Sequence, residues 1–337
     1  MKLITTEEHF NIPEVEAKIK EYQRALPPRK GDPLVGKALA GGLAEYDIPE
    51  DKFENMNSRI DFMDEHGITM QVLSAEGLEN IPGEVAVPIA KLANDETAKL
   101  VKQHPDRFAA FATLPTQDPE NAENELVRAV TQLGLKGTMI HGRTLDKYLD
   151  DPFFEPILAK AEELDVPIYV HPGIPKPTVI KDQYLSDQYS PAVGGGLATF
   201  GFGWHAEAGL QVVRMMLAGV FDRHPKLKII MGHWGELAAF YQERMDETLL
   251  PLAPNLNRKI SEYFKQNVYI TPSGLFTESM MKWAIEQMGS DHIMYSTDYP
   301  FEPTGQIHSF ITNATIDDLD REKIAHGTAE YLFNLAK

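Results

Sequence analysis

Eight short runs of β-branched, aromatic and other apolar residues recur along this chain, each followed by a segment with helical spacing. That alternation limits the fold more than any other feature. The runs cover residues 3–10, 70–75, 108–114, 137–141, 167–171, 228–233, 268–271 and 292–297. Most are nearly continuous in apolar residues, the pattern of parallel strands covered on both faces. Between them, residues 55–66, 84–104, 119–132, 153–164, 206–221 and 277–288 are amphipathic. Asp118-Pro119 and Asp151-Pro152 read as an N-cap followed by Pro at the first helical position. Gly67, Gly134 and Gly289 stand where C-caps belong. Strand and helix in alternation specify an α/β fold, either a closed barrel or a doubly wound sheet. The count of eight favours a (β/α)8 TIM barrel, with residues 1–337 forming one domain.

Two segments break the rhythm and make the expected barrel a distorted one. Residues 11–50 follow strand one and are rich in Pro, Gly and Lys, with a weak helical pattern over 15–24. Residues 173–203 follow strand five and carry Pro175, Pro177, Pro191 and the run Gly194-Gly195-Gly196. Long stretches without regular pattern act as lids or binding loops. Both insertions follow strands, on the face where barrel enzymes keep their chemistry.

Composition narrows the chemistry further. There is no cysteine, so a metal would have to sit among His, Asp and Glu. A net charge of −18 argues against nucleic acid or an anionic membrane as partner, and it obliges an anionic substrate to find local Arg or a metal. No window approaches the roughly 18 apolar residues that span a bilayer. The first residues lack the basic and apolar regions of a secretory signal, so a cytoplasmic protein is expected.

The polar residues gather at strand ends. Strand one ends in Glu7-Glu8-His9, strand four in His141 and strand five in His171. Strand six ends in Gly232-His233-Trp234-Gly235-Glu236, and strand eight in Ser296-Thr297-Asp298-Tyr299-Pro300. In a parallel barrel these ends converge on one rim. Glu7 and His9 are two apart on a strand, so both face the same way. With His171 and Asp298 they make an N/O set suited to one divalent ion such as Zn²⁺ or Mn²⁺. His233 is either a further ligand or the partner that orients Asp298. A lone histidine at a strand end is more often structural than ligating; it is the joint occurrence that points to a shared site. Arg59 and Arg244, taken singly, read more readily as surface salt-bridge partners than as site residues. Phe10, Trp204, Trp234, Tyr299 and Phe301 would enclose a planar substrate or simply pack. His205 opens a helix after the glycine run, where an active-site role is open but nothing in the sequence supports it.

Motifs spread over nearly the whole chain resemble the amidohydrolase-related family of aminocarboxymuconate-semialdehyde decarboxylase. They are Glu7-Glu8-His9-Phe10, Arg59-Ile60-Asp61-Phe62-Met63-Asp64 with Gly67-Ile68, and Pro105-Asp106-Arg107-Phe108 with Leu114-Pro115. Val166 to Pro172, Phe221-Asp222-Arg223-His224-Pro225, Gly232 to Glu236 and Ser296 to Pro300 complete the series. The Glu-x-His start resembles the branch of gamma-resorcylate, 2,3-dihydroxybenzoate and 5-carboxyvanillate decarboxylases. The resemblance implies Glu7, His9, His171 and Asp298 as metal ligands, with His233 and Glu236 as a hydrogen-bonded relay to Asp298. It places Arg59 and Arg244 at positions of substrate or structural contact; Phe10, His141 and Tyr299 complete the expected substrate-binding set. The implied activity is non-oxidative decarboxylation of a hydroxylated aromatic acid, with Asp298 protonating the ring carbon. A metal-dependent hydrolase or hydratase acting on a lactone, amide or unsaturated acid is the alternative. Relatives of this kind are dimers or tetramers, so a homo-oligomer is expected. The chain departs from the branch at residues 11–50, at His141-Gly142-Arg143 where the resorcylate enzyme resembles Asn-Gly, and at 194–202.

Overall fold

The computed structural model describes residues 1–27, 31–44, 48–75, 77–301 and 305–335. Seven of the eight apolar runs form strands: β1 (Ile4–Phe10), β2 (Met70–Ala75), β3 (Phe108–Ala110), β4 (Thr138–His141), β5 (Ile168–His171), β6 (Ile229–Met231) and β7 (Val268–Ile270). All pair in parallel, in the orders β1-β2-β3 and β4-β5-β6-β7. A bridge from Ala112 to Thr138 joins the two groups, and bridges Ile270–Ile293 and Thr5–Tyr295 close the ring. The eighth run therefore takes its place in the barrel through isolated bridges rather than a ladder. Its apolar residues Ile293, Met294 and Tyr295 enter the barrel wall and core, and Ser296-Thr297-Asp298 follow them at the rim.

The barrel interior holds a cluster drawn from every strand position: Ile4, Val72, Ala109, Phe111, Met139, Tyr169, Ile230, Tyr269 and Met294, joined by Ala329, Leu332 and Phe333 from the C-terminal end. These are the inward residues of each run, packed as the filled core of a TIM barrel rather than a pore. A larger cluster lies outside the strands, between them and the helices. The capping signals in the sequence are used: Asp118 accepts from the Asn121 amide at the head of a helix whose first residue is Pro119. Asp151 accepts from the Phe153 amide and starts a 3₁₀ turn that leads into the helix Glu155–Glu163.

The two insertions correct the expectation of long loops. The first forms α1 (Pro13–Ala25), α2 (Pro33–Leu43) and α3 (Glu50–Glu54); residues 28–30 and 45–47 within it lie outside the described residues. The second forms a short helix at Pro177–Val179, a π turn at Ile180–Tyr184 and a helix at Pro191–Ala198 that contains the glycine run. That helix lies directly against α2. A Cβ on Gly195 would overlap the Ala38 carbonyl, and one on Gly42 would overlap the Gly195–Gly196 backbone. Glycine lowers helix propensity by about 1 kcal/mol per residue, but here it lets two backbones touch. Val35, Ile180, Tyr184 and Ala198 form a small apolar cluster of their own beneath this pair. No helix among the described residues is long and apolar enough to cross a membrane.

Candidate active site

β1 reaches the rim through a bulge. Thr6 pairs with Val72 and Glu8 with Leu73, so Glu7 is the extra residue, at φ 69°. Bulges re-aim side chains at sheet ends, and this one breaks the two-residue alternation that the sequence reading assumed. Positive φ recurs at His233, Trp234, Glu236, Leu237, Ser273 and Asp298, all at the ends of strands six to eight. For non-glycine residues such backbone costs of order 1–3 kcal/mol each and collects at functional sites.

Glu7, His9, His171 and Asp298 offer ligand atoms that all lie within 4.8 Å of one another. His9 Nε2 is 3.2 Å from Asp298 Oδ1, and His171 Nε2 is 3.6 Å from Glu7 Oε1. Their outer sides are tied down. His171 Nδ1 donates to the Pro172 carbonyl at 3.0 Å, which aims the Nε2 lone pair inward. Glu7 Oε2 accepts from Ser273 Oγ and, at 3.4 Å, from Thr271 Oγ1. On the inner side, Glu7 Oε1, His9 Nε2 and Asp298 Oδ1 are buried with no hydrogen-bond partner. One buried orphan is costly and rare. Three around one point, in a set of two carboxylates and two imidazoles, fit a divalent cation. Burial pushes the Glu7 carboxyl up to about 8, with the His233 charge opposing and Asp298 adding. Burial likewise holds the His171 ring well below its ordinary value, reinforced by His141, His9 and His233. Both shifts describe the protein's own side chains, and a bound cation would favour an ionised Glu7 and a neutral His171.

Beside this cluster runs a chain of facing acids and imidazoles. His233 Nε2 is 3.7 Å from Asp298 Oδ2, and His233 Nδ1 is 2.7 Å from Glu236 Oε1. The other Glu236 oxygen is 2.8 Å from His205 Nδ1. Burial works against a charged His233, but Glu236, Glu7 and Asp298 outweigh it and hold the ring well above its ordinary value. Burial also opposes ionisation of Glu236 and Asp298. The facing histidines overcome it, and both carboxyls lie below their usual values. His205 is the member that sequence reasoning left without a role. Its position after the glycine run gave no sign of Glu236, 31 residues away.

Glu8 serves a different purpose from its neighbours. It accepts from the Thr297 amide at 2.9 Å, Thr297 Oγ1 at 2.6 Å and Gln71 Nε2 at 3.1 Å. Burial pushes its carboxyl up to about 7 against those hydrogen bonds. Gln71 accepts in turn from Arg59, which also donates to the His9 carbonyl and lies 4.4 Å above the Tyr299 ring. The structure thus places Arg59 and Tyr299 behind β1 as a buried brace, outside the cavity lining. Arg244 stands on the surface, with its side chain 69% exposed and facing Glu247. Of the expected substrate contacts, Phe10 and His141 line the cavity. The His141 amide donates to Glu79 at 2.8 Å, and its ring lies 4.7 Å from that of His171. Glu79, Thr271 and Ser273 had no signal in the sequence.

The cavity above the cluster has a volume of about 1330 Å³. The first insertion supplies Tyr22, Leu39 and Leu43 to its wall, and the second supplies Ile174 and Ile180. The site is therefore a deep, largely apolar cleft with its titratable groups on the floor.

Comparison with known proteins bears on the fold and the family. The chain is 35% identical to gamma-resorcylate decarboxylase of Rhizobium radiobacter, with 98% of each covered. The crystal structure of 5-carboxyvanillate decarboxylase from Sphingomonas paucimobilis superposes with a TM-score of 0.86 at 31% identity, covering 99% of both chains. A dihydroxybenzoic acid decarboxylase from Polaromonas sp., solved with manganese and 2-nitroresorcinol, gives a TM-score of 0.83 at 31% identity, covering 100% of this chain and 98% of that one. The sequence profile of the amidohydrolase family matches residues 47–335, so most of the barrel and all of its rim after strand one fall within it. On that match, and on the fold and rim described above, the chain belongs to the amidohydrolase family.

Proposed function

We propose that this protein is a metal-dependent, non-oxidative decarboxylase of a hydroxylated aromatic carboxylic acid. The observation that carries the reading is the division of labour at Asp298. Its Oδ1 is an orphan among the ligand atoms, while its Oδ2 faces His233. One carboxylate is thereby set both to hold a cation and to pass a proton. The relatives named above support the substrate class, and the manganese of the Polaromonas enzyme supports Mn²⁺ as the ion.

A divalent ion held by Glu7, His9, His171 and Asp298 supplies Lewis acidity that lowers the pKa of a phenol and offsets negative charge on a bound acid. The remaining work falls to the chain. Phe10 and the apolar wall hold the ring and exclude water. Glu236, between His205 and His233, keeps His233 charged. His233 restores a proton to Asp298 through Oδ2, and Asp298 delivers it to the ring carbon that bears the carboxylate. The bond from that carbon to the carboxylate then breaks, its electron pair returns to the ring and CO₂ leaves. The sum is one aromatic carboxylate plus one proton giving the phenol and CO₂.

The test is CO₂ release from a panel of hydroxybenzoates by the manganese-loaded protein, with and without chelator. Release that stops on chelation and returns with Mn²⁺ is expected. Asp298→Asn, confirmed by elemental analysis to keep metal, should lose activity by about 10²-fold or more. Full activity in that variant would remove Asp298 from proton transfer. Hydrolysis of a lactone or amide without CO₂ would move the reaction to water-based chemistry on the same ligands.

A further inference from the structure

Among the described residues that line the cavity, Arg143 and Lys176 are the only Arg or Lys. They stand on neighbouring strand ends. The Gly142 amide donates to the His171 carbonyl at 3.0 Å, and Gly142 lies so close to Gly173 that a side chain there would meet the Gly173 backbone at 2.8 Å. Arg143 leaves this junction from β4, and Lys176 follows it from β5. Both approach Asp146, at 3.5 and 3.4 Å, at the tip of a tight turn where Leu145 and Asp146 have positive φ.

Arg143 is held loosely for so buried a cation. Its side chain is only 10% exposed, yet among the described residues it donates no hydrogen bond. Its two ion pairs, to Asp146 and Glu207, are both 3.5 Å long, and its guanidinium lies 5.6 Å from the Tyr148 ring centroid, close to the outer limit of a cation–π contact. Glu207 is committed elsewhere by the Tyr148 hydroxyl at 2.8 Å. Asp146 is 72% exposed, and ion pairs to such groups contribute little. A guanidinium in this state is open to a better partner, and a carboxylate can take two parallel hydrogen bonds from it. The cavity, about 1330 Å³, is also far larger than a single ring with one acid group requires. A chain of net charge −18 repels a dianion unless local cations offset the field.

We propose that Arg143, assisted by Lys176, is the specificity-determining cation of this pocket and receives a second carboxylate carried by the substrate. The inference rests on the decarboxylase reading for the reacting carboxylate, and it narrows the substrate class to hydroxylated aromatic dicarboxylates. Asp146 is displaced from the pair when the second carboxylate enters, and Glu207 stays beneath the guanidinium.

The experiment is calorimetric binding of hydroxyisophthalate and of salicylate to the manganese-loaded protein, run beside CO₂ release from each. Wild type should bind the dicarboxylate at least about tenfold more tightly. Arg143→Met should collapse that ratio towards unity, Arg143→Lys should keep part of it, and Lys176→Met should lower it by less. In turnover the change should appear in KM rather than kcat. Equal affinity of wild type for the two acids, or an unchanged ratio in Arg143→Met, overturns the proposal. If Arg143→Met does not fold, as judged by its melting curve, Arg143→Lys and Lys176→Met read the same ratio. Absence of CO₂ from both acids would instead overturn the decarboxylase reading, while the binding ratio still decides the role of Arg143.

Discussion

Arg59 shows how a residue can be legible in the sequence while its role, substrate contact or structural contact, stays open. Its motif marked it as important, and the structure gives the reason: the guanidinium supports the His9 carbonyl and Gln71, which in turn holds Glu8. Removing it leaves two buried acceptors without a donor, each costing about 1–3 kcal/mol. Arg59→Met should therefore lower the melting temperature and the manganese occupancy together, because His9 loses its support. A variant that kept stability and metal and raised KM alone would return Arg59 to the substrate. The four proposed metal ligands were readable because acids and imidazoles end otherwise apolar runs. The bulge at Glu7 and the left-handed backbone at Asp298 were not readable, since no local residue preference announces them. Thr271 and Ser273 hold Glu7 from strand seven, a contact set by barrel closure and not by any spacing along the chain.

At the scale of elements, the strands, helices and caps followed from periodicity, and the insertions did not. A run of three glycines shortly after three prolines carries the local signature of a loop. It is helical here because α2 supplies a backbone surface that only glycine can meet. Two substitutions separate local propensity from this contact. Gly36→Ala on α2 meets nothing within 4 Å and should be neutral or stabilising by up to about 1 kcal/mol. Gly195→Ala gains the same propensity but drives a methyl into the Ala38 carbonyl, and should cost about 1–3 kcal/mol as the helices part. The cost should appear as faster proteolysis within residues 33–43 and a higher KM, with manganese occupancy unchanged. Equal behaviour of the two variants would show that the contact does not hold the insertions together.

For the whole molecule, the seam between the eighth run and β1 is where barrel closure and chemistry meet. The seam has no ladder: it depends on the bridge at Thr5, on the Thr6 and His9 amides donating to the Tyr295 and Tyr299 carbonyls at 2.9 and 2.8 Å, and on Glu8 holding Thr297. The candidate ligand set spans this same seam, with Glu7 and His9 on one side, Asp298 on the other and His171 across the barrel. A cation there would join segments far apart in sequence and satisfy three buried orphans, and it would do so only in the folded state. Binding to the native state alone adds about 2.7 kcal/mol at a metal concentration 100 times Kd. For a chain of 337 residues, at about 2.1 cal/mol/K of unfolding entropy per residue, that is a rise in melting temperature of roughly 4 °C. The apolar clusters inside and outside the barrel contain none of the four ligands, so the metal-free protein should stay folded while its seam loosens. Hydrogen exchange should then show Mn²⁺ slowing the Thr6 and His9 amides, with the β5–β6 ladder little changed. Glu7→Gln should lose both the thermal shift and the protection. A melting temperature indifferent to Mn²⁺, in protein shown to have lost its metal, would mean that the four side chains do not form a metal centre.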